Sequence, residues 1–105
     1  LLALYVLHLL EHAPEYGNAL MHKITERTGG QWLANPGAIY PLLNMLEDEG
    51  LIEGEWDDPD KRTVRRYHIT PAGEEELERL NAIVRPKLEE AIQIMNDLLA
   101  DLDED

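Results

Sequence analysis

Lys61, Arg62, Arg65 and Arg66 crowd four of the chain's nine Lys and Arg side chains into six positions. Cations at that density suit a polyanion such as a phosphate backbone, although in an extended segment alternation sends Arg65 and Arg66 to opposite faces. His8 and His12 stand at i and i+4 with Glu11 between them. That spacing can hold a metal on a helix, but the glutamate is not where a zinc-protease helix needs its general base. The pair reads as ordinary helix side chains, and no metal or cofactor is expected. Cysteine is absent, which removes disulfides, thiolate nucleophiles and thiolate metal sites. There is no glycine-rich phosphate loop. No catalytic residue is assigned, and the chain is expected not to be an enzyme. Trp32 and Trp56 fall just before a helix and at the end of a strand, where indoles more often serve as core or rim than as a ligand cradle.

The elements that must carry these side chains follow from periodicity. Leu1 to Glu11 is apolar around most of the helical wheel and predicts a largely buried helix, too short for a bilayer span and without the marks of a secretory signal. His12 to Gly17 holds a proline and a glycine and reads as a turn. Asn18 is the expected N-cap of a second helix over Ala19 to Thr28, with Leu20, Met21 and Ile24 inward, Lys23, Glu26 and Arg27 outward, and Gly29-Gly30 as its stop. Asn35-Pro36-Gly37 opens a third helix, with Asn as cap and Pro in the first turn. Its core face is Ile39, Leu42, Leu43 and Leu46, and Gly50 ends it. Strands are predicted at 51–56 and 63–69, joined by a charged loop, and Thr70-Pro71 starts a last, long helix.

That last helix carries Leu77, Leu80, Val84, Leu88, Ala91, Met95, Leu98 and Leu102 in steps of three and four, the seam of a coiled coil. A doubled step of four near Pro86 predicts a kink or break there. The stripe is longer than a small core can cover, so a second copy of the chain is the expected cover, with Leu4 of the first helix beside it. The fold class is therefore mostly α with a small two-stranded β-wing. Residues 1–70 are expected to form one unit and residues 71–105 a dimerisation helix.

Composition constrains the partner. A chain with 44% hydrophobic and 30% charged residues is globular, not disordered. Its formal charge of −13 opposes binding to any polyanion, but the surplus is uneven. Residues 1–70 hold six basic against eleven acidic side chains, and residues 71–105 hold three against eleven. Most of the surplus acid therefore belongs to the last helix, and screening over a Debye length of about 8 Å at physiological salt leaves a basic hairpin able to act.

Two segments resemble a known family. Gly37-Ala38-Ile39-Tyr40-Pro41-Leu42-Leu43-Asn44-Met45-Leu46-Glu47-Asp48-Glu49-Gly50-Leu51-Ile52 is similar to the recognition-helix signature of PadR regulators, and Arg65-Arg66-Tyr67-His68-Ile69-Thr70-Pro71-Ala72-Gly73 to their second wing strand and the start of the last helix. Tyr16-Gly17-Asn18-Ala19-Leu20 adds a weaker match. The single closing helix resembles the short members of that family. Members often carry a basic pair where this chain has Asn44-Met45, and Ser or Thr where it has Asn35 and Ala38.

The resemblance implies a winged helix-turn-helix that acts as a cytoplasmic, homodimeric transcriptional regulator on a pseudo-palindromic double-stranded operator, as a repressor released by a small hydrophobic effector. The third helix would lie in the major groove and the wing along the backbone. The DNA-facing set implied is Tyr16, Lys23, Asn35, Gly37, Ala38, Tyr40, Pro41, Asn44, Lys61, Arg62, Thr63 and Arg65. Within it, Asn44 suits adenine, Ala38 a thymine methyl and Tyr40 a phosphate. The competing expectation, which the acid excess favours, is a dimeric winged-helix module that binds protein or ligand and not DNA.

Overall fold

The structure is a computed structural model that describes residues 1–31, 35–58, 60 and 64–103. Trp32, Lys61, Arg62 and Thr63 lie outside the described residues. The elements run α1 (Leu2–His12), β1 (Glu15–Tyr16), α2 (Gly17–Arg27), α3 (Pro36–Asp48), β2 (Ile52–Trp56), β3 (Arg65–Ile69) and α4 (Pro71–Asp103).

Three short helices and a sheet converge because each offers one apolar stripe to the same centre. Val6, Leu7, Leu9 and Leu10 come from α1, Leu20 and Ile24 from α2, and Ile39, Leu43 and Leu46 from α3. Ile52, Tyr67 and Leu77 close the core from β2, β3 and α4. Leu42 packs half-buried at its edge, so the inward face expected for α3 is the one found. Termini follow local chemistry. Asn35 accepts from the Ala38 amide at 3.1 Å and caps α3, with Pro36 in the first turn. Gly50, at φ +74°, provides the left-handed residue that ends it. The Gly73 amide donates to Thr70 Oγ1 at 3.1 Å, while that hydroxyl donates to the Gly50 carbonyl at 2.6 Å, so one side chain caps α4 and ties it to the end of α3.

Three expectations need correcting. The segment before α2 is not only a turn: Glu15 and Tyr16 pair antiparallel with Tyr67 and Arg66, so the predicted two-stranded wing gains a short third strand and the sheet order is β1-β3-β2. That pairing extends the backbone at Tyr16 and starts α2 at Gly17. Asn18 is therefore inside the helix, and Tyr16, with no side-chain cap bond, is the N-cap. Of the kink or break expected at Pro86, the break does not occur, because α4 is a single helix of 33 residues. Proline removes one amide donor, and the helix on either side is long enough to carry the gap.

At about 1.5 Å per residue α4 is roughly 50 Å long, which explains a molecule measuring 63 × 28 × 21 Å. Its first turns pack on α1, and the rest projects. Leu77 is 8% exposed, whereas Leu88, Ile92, Met95, Leu99 and Leu102 are 42–59% exposed. No helix among the described residues is long and apolar enough to cross a membrane.

Candidate nucleic-acid interface

Burying Ile39, Leu43 and Leu46 forces the opposite face of α3 outward, and Gly37, Ala38, Pro41, Asn44 and Met45 stand on it in solvent. The Asn35 side chain is used by the cap described above. Tyr40 is 41% exposed and leans back over the start of α2. A Cβ at Gly17 would come within 2.8 Å of its ring, so a larger residue there would push the ring aside. Tyr40, Asn44, Tyr16 and Arg65 border one groove of about 620 Å³ between α3 and the wing, with Trp56 and Val64 on its far wall. Four residues of the sequence-predicted set thus meet in one place.

Several of those side chains already have partners within the chain. Arg65 donates its two terminal nitrogens to the Glu47 carboxylate at 2.7 and 2.6 Å, and one of them also to the Gly54 carbonyl at 3.0 Å. The same carboxylate accepts from the Gly54 amide at 3.2 Å. Since β2 is an edge strand, Gly54 presents both backbone groups outward, and the ion pair satisfies both. The guanidinium lies between the Trp56 and Tyr67 rings, 5.3 and 5.8 Å from their centroids. It crosses β2 where a Cβ on Gly54 would sit 2.9 Å from it. This bidentate pair ties the wing to α3. Tyr16 donates its hydroxyl to Asp57 at 2.8 Å, and chiefly that bond holds the phenol above its ordinary pKa. Burial does the same for Tyr67. Lys23 is paired with Glu15.

Sequence reasoning assigns Arg65 and not Arg66 to the site. Alternation does divide them: Arg65 faces α3, while Arg66 is exposed beside Tyr16 and Glu55, its register partners. The alternation itself is the signal that points to Arg66. Nothing local in the sequence announces Glu47 as the partner of Arg65, because the two are far apart in the chain.

A second surface lies at the other end. Leu4, Tyr5 and His8 of α1 face Leu77, Asn81 and Leu88 of α4 across a groove of about 540 Å³. His8 and His12 meet edge to face, their ring centroids 4.9 Å apart, and no cluster of three metal-ligating side chains occurs among the described residues. Along α4 the predicted seam divides. Leu77 is buried, Leu80, Val84 and Ala91 are half-buried, and Leu88, Met95, Leu98 and Leu102 are exposed. Ile92 and Leu99, absent from that seam, complete a regular alternative through Leu88, Ile92, Met95, Leu99 and Leu102, with steps of four and three.

Residues 6–79, from α1 into the first turns of α4, match the transcriptional regulator PadR-like family. The chain belongs to the PadR-like family of transcriptional regulators. The transcriptional regulator Rv3488 of Mycobacterium tuberculosis is 39% identical over 69 residues, a match covering 64% of this chain and 63% of that protein. Among solved structures, a PadR family transcriptional regulator of Eggerthella lenta superposes with a TM-score of 0.74 at 26% identity, covering 90% of this chain and 80% of that one. The protein TA0346 of Thermoplasma acidophilum does so with a TM-score of 0.69 at 33% identity, over 94% and 90% of the two chains. PadR-like membership places the chain among transcriptional regulators, and it agrees with the winged helical fold described above.

Proposed function

We propose that this PadR-like chain binds double-stranded DNA as a homodimer and represses transcription from a pseudo-palindromic operator in the cytoplasm. The observation that carries the reading is the shared groove: the outward face of α3 and the wing lie side by side, with Tyr16, Tyr40, Asn44 and Arg65 on one rim. A helix presented that way suits a major groove, with the hairpin along the adjoining backbone. The full DNA-facing set implied by the family supplies the remaining contacts, including Lys61, Arg62 and Thr63, which fall between β2 and β3 in the sequence. Arg65 acts chiefly by fixing the wing against α3, and Arg66 joins the phosphate-facing side chains.

Dimerisation is proposed through α4, which would divide the chain into a DNA-binding unit over 1–70 and a dimer helix over 71–105. Exposed apolar side chains along more than four turns of α4 support this, since such a stripe in water is strongly unfavourable. A two-fold axis through the paired helices would present two α3 helices to two half-sites, which stand about 34 Å apart when separated by one turn of B-DNA. A small hydrophobic effector, received in the apolar groove between α1 and α4, would then act by altering the crossing of the two long helices. The acid excess of −13 favours the alternative, a dimer that binds protein or ligand only.

Fluorescence anisotropy with DNA from the chain's own upstream region, at stated salt, separates the two readings. Saturable binding by a species that sediments as a dimer, with affinity falling steeply as salt rises, is the expected result. A folded dimer that retains no duplex even at 50 mM salt would sink the DNA reading.

A further inference from the structure

We infer that the operator positions lying against α3 are A·T base pairs, with an adenine opposite Asn44 and thymine methyls along Ala38, Pro41 and Met45. The inference rests on the DNA-binding reading and deepens it by naming the bases.

The argument starts from what α3 offers to a groove. Between Pro36 and Asp48 the helix contains no lysine and no arginine. Guanine is most often read by two donors from Arg or Lys directed at its O6 and N7, and α3 has neither. Cytosine presents an N4 donor that a carboxylate would accept. The Glu47 carboxylate is committed to Arg65 at 2.6 and 2.7 Å and to the Gly54 amide at 3.2 Å. Asp48 is the last residue of the helix, at the end away from the N-terminal turns that meet base edges.

What remains outward has a definite chemistry. Asn44 is exposed, and its amide offers a donor and an acceptor side by side, the pattern that pairs with adenine N6 and N7. Ala38, Pro41 and Met45 recur at steps of three and four, so they form one stripe along the helix next to that amide. Met45 is 46% exposed, with no apolar neighbour needed to complete the core beneath it. In the major groove the matching apolar feature is the C5 methyl of thymine. An amide flanked by an apolar stripe is thus complementary to adenine flanked by thymines.

The division of labour has a second consequence. With no cation on α3, the helix contributes little to phosphate affinity, and the wing must supply the salt-dependent part of binding.

The test is selection of duplexes from a randomised pool at 50 mM salt by the full-length chain and by Asn44→Ala and Asn44→Arg. Positions whose base preference changes between the parent and Asn44→Ala are those read by α3. The parent is expected to select A or T there, Asn44→Ala to lose about tenfold discrimination at the adenine, and Asn44→Arg to move that preference to guanine. Replacing the selected thymines by deoxyuridine, which removes only the methyl groups, should weaken binding about fourfold for each methyl in contact. Selection of G·C pairs at the positions sensitive to Asn44, an unchanged profile in Asn44→Ala, or indifference to uridine would overturn the inference while leaving DNA binding in place. Failure of the folded dimer to retain any duplex would remove the DNA-binding reading and this inference with it.

Discussion

α3 and the distal half of α4 are both helices with one long face in solvent, but they expose different chemistry. The inner face of α3 is completed within the chain by Ile39, Leu43 and Leu46, and its outer face carries alanine, proline, asparagine and methionine in isolation. Its position is further held by the Glu47–Arg65 pair. Distal α4 has no such completion, since Leu88, Ile92, Met95, Leu99 and Leu102 follow one another, 42–59% exposed, along a helix that projects past the core. A face that is stable when bare is free to take a partner transiently. A face that is unstable when bare needs a partner all the time. Under the proposed function, the first surface would serve for reading and the second for assembly.

Three experiments act on that contrast, in decreasing order of expected effect. Leu88→Asp combined with Leu99→Asp should give a chain that sediments as a monomer at micromolar concentration and loses more than about a hundredfold in operator affinity, because two linked half-site contacts become one. Retention of a dimer would show that the seam lies elsewhere. Next, Arg65→Ala removes the partner of the half-buried Glu47 carboxylate and of the Gly54 carbonyl on β2. A loss of about 2 kcal/mol is expected in urea unfolding, with Arg65→Lys intermediate and dimerisation unaffected. A midpoint equal to the parent's would mean the pair does not hold the wing. Smallest is Tyr16→Phe. Because the folded-state pKa of Tyr16 is raised, its contribution to stability is fully present below the ordinary tyrosine value and fades as pH rises through the folded one. Near neutral pH the variant should therefore unfold slightly before the parent, the difference should vanish at alkaline pH, and an alkaline absorbance titration should lose one late-ionising phenol. A titration curve of unchanged shape would contradict the Tyr16–Asp57 bond.

Much of this layout is legible in the residues, and the parts that are not share a physical reason. α3 could be bounded from Asn35-Pro36 and Gly50 because capping and φ preference act within a few residues, and its inward face follows from the 3.6-residue period. β1 could not be read, since a strand of two residues has no period and owes its existence to β3, about fifty positions later. The late N-cap assigned to Asn18 has the same origin, because the pairing of Tyr16 decides where α2 begins. On α4 two seams satisfy the heptad spacing. Periodicity shows that a side is apolar but not which of two neighbouring phases the surroundings leave uncovered, so Ile92 and Leu99 emerge only when the packing of Leu77 against α1 fixes the helix rotation. Within the site, the outward set Ala38, Pro41 and Asn44 is readable from the wheel, whereas the engagement of Arg65 with Glu47 depends on Gly54 lacking a side chain at a crossing that only three-dimensional pairing creates.

The two residues of β1 have a mechanical role out of proportion to their length. They fasten the link between α1 and α2 to the middle strand of the wing, while α1 itself forms one wall of the groove against α4. The sheet, α3 and α1 are thereby joined, and a swing of that unit about α4 would displace its far end more than its root. If two chains pair through α4 as proposed, the stalk would work as a pivot and the sheet as a lever arm, so a small adjustment where they meet would be enlarged at the far end of the sheet.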